Sequence, residues 1–132
     1  MTAPSYTSLG HAIPPERFGS LNEFAADVRD GAALRAALDT DGYVLLRGAL
    51  NREEVMAARA EVFGRLAEVG EVRLPAIDGI PTGTSRREAL MPDLGAFWRS
   101  VCEGPAIRRV THSGAMLDIM ERVLEGPVRP FD

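Results

Sequence analysis

The sequence predicts a mostly helical α+β unit with a few short strands, and three observations predict it. Residues able to cap a helix (Ser20, Asp30, Asn51, Ser85, Asp93) recur ahead of runs that promise helical turns, several with apolar residues at helical spacing. Only Tyr43 to Leu46 and Val128 to Phe131 read as strands, the first for its run of apolar, β-favouring residues, the second as a strand just beginning. A hydrophobic share of 45% and a charged share of 26% in 132 residues allow one domain with a core and exclude collagen-like and disordered compositions.

Residues Met1 to Gly19, with Pro4, Pro14, Pro15 and little periodicity, read as an irregular arm over a domain that spans residues 20–132. Ser20 and Glu23 form a capping box, each side chain satisfying the other's free backbone N–H, and predict a helix bearing Leu21, Phe24 and Val28. Asp30 caps a second helix through Leu38. Asp41-Gly42 is a turn dipeptide, Tyr43 to Leu46 a buried strand, and Gly48 its end. Asn51 with Glu54 repeats the cap and opens the longest helix, Arg52 to Val69, with Val55, Val62, Leu66 and Val69 on one stripe and Gly70 as the stop. Glu61 and Arg65 are spaced as a pair on its outer face. Gly64, which costs about 1 kcal/mol against Ala inside a helix, predicts a tight helix contact.

From Glu71 to Thr84, Pro75, Asp78-Gly79, Pro81 and Gly83 forbid regular structure, and loops of this length tend to be functional or mobile. Ser85 with Glu88 caps a short turn, and Asp93 caps a helix through Cys102 that ends at Gly104. Pro105 suits the first position of a helix reaching Thr111. After a corner at Ser113-Gly114, Leu117, Met120 and Leu124 line a last helix closed by Gly126 and Pro127.

A net charge of −4 opposes nucleic-acid binding, which needs a concentrated positive face; all 15 basic residues are Arg, spread among carboxylates, and the pairs Arg86-Arg87 and Arg108-Arg109 are too short to supply one. No apolar run approaches the roughly 18 residues of a membrane span, and the first 19 residues lack the basic start and apolar stretch of a secretory leader. A cytoplasmic location is expected. Cys102, the single cysteine, follows Phe97, Trp98 and Val101 and is expected to be a buried thiol that acts as a small hydrophobe.

Gly79 to Ser85, GIPTGTS, has glycines ahead of Thr-Ser as a phosphate cradle does, but its spacing is wrong and it has no Lys. An iron facial triad needs two His and a carboxylate, the first His and the acid usually two residues apart; neither His11 nor His112 has that neighbour. Arg122 follows His112 at the distance some oxygenases use between the last metal His and the Arg that grips the co-substrate, yet the residues between them have helical periodicity. His112 is expected near a helix end. No paired carboxylates or Ser-His-Asp set has supporting spacing, so no catalytic, cofactor-binding or metal residue is assigned.

The segment from Asp41 to Gly70, DGYVLLRGALNREEVMAARAEVFGRLAEVG, resembles the N-terminal stretch of the phytanoyl-CoA dioxygenase family, in which a strand is followed at once by a capped long helix. GPAIRRVTHSGAMLDIMERVLEGPVRPFD resembles the family's next landmark, a helix pair leading to the first strand of the catalytic barrel. The two cover Asp41 to Asp132 apart from the loop. The resemblance implies an iron(II)- and 2-oxoglutarate-dependent dioxygenase, or hydroxylase, acting on a small molecule. The family's H-x-D motif, distal His and co-substrate Arg or Lys all come later than the matched residues, so none is carried over, and the double-stranded β-helix barrel is expected to be missing from this chain. It then supplies helical support, inactive alone, with the loop from Glu71 to Leu90 bordering the substrate entrance. The alternative is a non-catalytic helical binding or dimerisation module derived from such an enzyme. Either way self-association or a completing chain is expected, through Tyr43 to Leu46 or the helix faces with Phe97, Trp98 and Met120.

Overall fold

The computed structural model describes residues 6–112 and 114–131. Among them the architecture is mostly helical, with six α-helices, two single-turn 3-10 helices (Pro15–Arg17 and Ala76–Asp78) and one two-stranded antiparallel sheet: β1 (Thr7–Ser8), β2 (His11–Ala12), α1 (Gly31–Asp41), α2 (Arg52–Glu68), α3 (Arg87–Leu90), α4 (Leu94–Cys102), α5 (Pro105–Thr111) and α6 (Gly114–Leu124). There is no barrel among the described residues.

The helix starts follow their caps. Asp30 accepts from Ala33 N, Asn51 Oδ1 from the N–H groups of Glu53 and Glu54, and Asp93 from Ala96 N, each satisfying donors that no helical carbonyl can reach. Gly42 closes α1 at φ 75°, a left-handed conformation that glycine adopts without a Cβ clash. Pro105 stands at the first position of α5.

α2 packs on α5, α4 and the turn at Ala76–Asp78, while α1 packs on α6 and α6 on α5. Val69, Phe97 and Val101 form the central cluster, ringed by Val62, Leu66 and Met91; Leu34 is fully buried on α1. Val55, at the far end of the expected stripe, is exposed.

Several expectations are corrected. Ser20 to Val28 is not helical: Phe24 N–H, which a helix would bond to Ser20 O, donates instead to Leu45 O at 3.0 Å, and Asn22 N–H donates to Tyr43 Oη at 2.7 Å. Tyr43 to Leu46 is half-buried and makes one parallel bridge, Leu45 to Glu23, in place of a strand ladder. Val128 to Phe131 is irregular, with Phe131 almost wholly exposed. The arm is not wholly irregular, since residues 7–12 make a small hairpin and Tyr6 meets the Phe18 ring at 4.9 Å. Its first five residues, and Ser113 of the expected corner, lie outside the described residues.

Two helix-surface readings also change. Glu61 does not pair with Arg65. Its Oε2 accepts from Ala106 N at 2.9 Å and Ile107 N at 3.0 Å, so a carboxylate of α2 caps α5, and buried Gly104 leaves the room for it. Arg65 turns to Glu68. Nothing lies within 4 Å of a Cβ built on Gly64, so no tight contact explains that glycine.

Candidate functional site

Among the described residues, no three His, Cys, Asp or Glu side chains converge on a point that could hold a metal ion. His11 is exposed in β2. His112 caps the C-terminus of α5, its Nδ1 2.6 Å from Thr111 Oγ1 and its Nε2 3.3 Å from Phe131 O. Arg122 lies in the last turn of α6, and its carbonyl accepts from Arg35 Nη1 at 2.9 Å. Cys102 is exposed rather than buried, because Phe97 and Val101, four apart, share the inward face of α4 and the next residue is turned about 100° away.

Polar side chains do converge at the two roots of the loop after α2. Gly70 ends α2 and is followed by Glu71; Ser85 to Arg87 lead into α3. Ser85 Oγ–H donates to Glu71 Oε1 at 2.6 Å, and Arg87 Nη2 forms an ion pair with the same oxygen. Ser85 Oγ also accepts from Arg87 N at 3.2 Å, but Arg86 and not Ser85 stands at the N-cap of α3, so the expected Ser85–Glu88 capping box is corrected. The Arg87 guanidinium lies over Trp98 at 4.3 Å and near Phe97 at 5.8 Å, where the ring faces attract a cation. Its Nε is buried without a hydrogen-bond partner. The Ser85 hydroxyl, helped by the Arg87 cation, holds the Glu71 carboxyl below its ordinary value against the opposing effect of burial. Glu71 is therefore ionised in neutral solution.

The loop itself is fastened at root and tip. Val72 and Pro81 form a bridge, Arg73 N–H donates to Ile80 O at 2.9 Å, and Thr82 Oγ1–H donates to Gly70 O at 2.6 Å. At the tip Arg59 of α2 donates from Nε to Ile77 O at 2.8 Å and from Nη2 to Asp78 O at 2.9 Å, while its guanidinium covers Phe63 at 4.5 Å. Gly79, at φ 67°, presses so closely on Phe63 that a Cβ there would collide with the ring. Leu74 projects from this loop 82% exposed, and Ile80 is exposed beside it.

Two cavities meet at Ser85. One of about 530 Å³ is lined by Phe63, Leu66, Val72 and Pro81, with Glu71, Thr84 and Ser85 among its polar members. The other, about 560 Å³, is lined by Ser85, Arg86, Arg87, Glu88 and Leu94. The cluster suits binding better than covalent chemistry. A carboxylate held below its usual pKa is a weak base, and Ser85 has no His to take its proton. Sequence reasoning singled out Ser85 and the loop but missed Glu71, Arg87 and Arg59. Opposite charges directly flanking a long Pro- and Gly-rich stretch were the available signal for the first two.

Compared with protein-family models, with curated proteins and with solved structures, the chain matches none.

Proposed function

We propose that this chain is the helical support portion of a cytoplasmic iron(II)- and 2-oxoglutarate-dependent oxygenase of the phytanoyl-CoA dioxygenase type, with the barrel and its iron ligands supplied by protein outside these 132 residues. The described residues do not fit an iron site, since His11 and His112 sit on separate elements without a converging carboxylate. The chain's own part is mechanical: α2 packs on α4 and α5, and the fastened loop borders the substrate entrance.

The observation that carries the reading is surface. The chain exposes 9919 Å² at a mass of 14.3 kDa, where a compact monomer of that mass exposes about 6,800 Å². The excess, roughly 3,000 Å², is surface that the chain does not cover with its own residues. It includes extended segments with unpaired edges and the exposed side chains of Trp98, Met120 and Leu124. Support also comes from the order of a capped long helix directly after Tyr43 to Leu46 and of α5 and α6 before Val128, as in the resembled family. No helix among the described residues is long and apolar enough to cross a membrane.

The coding frame tests the proposal. An H-x-D within a few tens of residues beyond Asp132, on a product that consumes 2-oxoglutarate, is the expected result. A stop at Asp132 and no co-purifying H-x-D protein would sink it. The second reading, a self-associating helical module, is favoured by the apolar face of α6, where Met116, Leu117, Met120 and Leu124 line a groove of about 260 Å³. Light scattering that finds a stable dimer of the chain alone would support this second reading. Phe97 plays no part in such a face, being buried in the core.

A further inference from the structure

We propose that the cavity between α2 and the root of the fastened loop binds a small aliphatic ammonium compound, its charged head on Glu71 and its alkyl chain on Phe63, Leu66, Val72 and Pro81. The inference is independent of the oxygenase reading. The cavity is a shallow depression of about 530 Å³, open to solvent, with a mainly apolar lining and a few polar groups.

Glu71 is the one charged side chain among the lining residues, so the charged group that the lining itself can pair with is a cation. Both hydrogen bonds to its side chain, from Ser85 Oγ and Arg87 Nη2, fall on Oε1, which leaves the acceptor positions of Oε2 to an incoming donor. Arg87 does not line this cavity; it lines the neighbouring one, and its guanidinium lies over the Trp98 ring. An ammonium group thus meets the carboxylate where the guanidinium leaves it open. The Glu71 side chain is only 18% exposed, so the charge-assisted bond forms in partly desolvated surroundings. Because the loop is held by Arg59 and its own bridge, the cavity is formed before any ligand arrives.

Titration of n-hexylammonium, n-hexanol and n-hexanoate into the isotope-labelled full chain at neutral pH, followed by amide chemical shifts, tests the site. The expected result is saturable shifts at Glu71, Val72, Thr84 and Ser85 with hexylammonium, and binding of hexanoate at least about tenfold weaker. Glu71→Gln should erase the preference for the ammonium over the alcohol. Butylammonium, two methylenes shorter, should bind about tenfold more weakly to the unaltered protein, a comparison that holds even if Glu71→Gln loosens the loop. Equal binding of the three hexyl probes, shifts centred elsewhere, indifference to chain length, or no saturation below about 10 mM would each overturn the proposal.

Discussion

From Arg52 to Leu124 the chain closes most of its backbone hydrogen bonds inside helices and their caps, whereas Tyr6 to Arg29 and Tyr43 to Leu50 run largely extended with few backbone partners. The helical region also owns the central cluster of Val69, Phe97 and Val101. The extended region is tied to itself by side chains: Arg47 to Glu23 at 3.1 Å, and Tyr43 Oη and Asp41 to Asn22. Helices satisfy their donors locally and need only one apolar face covered. Extended segments need neighbours, and one two-residue hairpin and one bridge provide few of them.

Core truncation separates the two regions most sharply. Phe97→Ala should cost about 3–5 kcal/mol of unfolding free energy in urea, because it empties the centre of the helical cluster. Phe24→Ala, half-buried beside the lone bridge, should cost under about 1 kcal/mol; equal losses would show that the extended region shares the same cooperative core. Next in size is Gly104→Ala, expected to cost about 1–3 kcal/mol because its Cβ collides with the Glu61 carboxylate. Combined with Glu61→Ala the losses should be well short of additive, since both remove the same cap.

Two changes on α2 should then act in opposite directions. Asn51→Ala removes an oxygen that serves two N–H groups and should lower stability by about 1 kcal/mol. Gly64→Ala meets open space inside a helix and should raise it by about 0.5–1 kcal/mol; a loss would reveal a partner pressed on that face. The smallest effect is on the loop. Its Glu71 carboxyl is held below the ordinary value of 4.5, so the stabilisation it contributes is full above that pH and is lost as pH falls through the lowered folded value. The protection factors of amides of residues 72–84, measured against the intrinsic rate at each pH, should therefore fall in acid while those of α2 hold; simultaneous loosening of both would remove the distinction.

The helices from Arg52 onward were legible because their signals are local: Asn51, Asp93 and Pro105 act within one turn of where they stand. Ser20 and Glu23 carry the same local signal and still do not make a helix. Their segment is claimed by Tyr43, Leu45 and Arg47, some twenty positions away, and no window of sequence contains that competition. Glu61 was misread for the same reason, its true partners being the N–H groups of Ala106 and Ile107. Of the site, Ser85 was visible only as a polar residue ahead of a helix, one position before the actual N-cap, Arg86. The bond from Ser85 to Glu71 was not visible, since it depends on how the loop folds back on its own root.

The grip of Arg59 on the loop has a consequence for how this surface changes over generations. Its guanidinium holds the carbonyl oxygens of Ile77 and Asp78, groups every residue type possesses, so the loop's shape at that point is indifferent to which side chains are carried there. Gly79 is the exception, fixed by the Phe63 ring. Leu74, Ile77 and Ile80 are held by no such side-chain clash, so the surface chemistry of the loop tip can vary without a change in the framework that displays it.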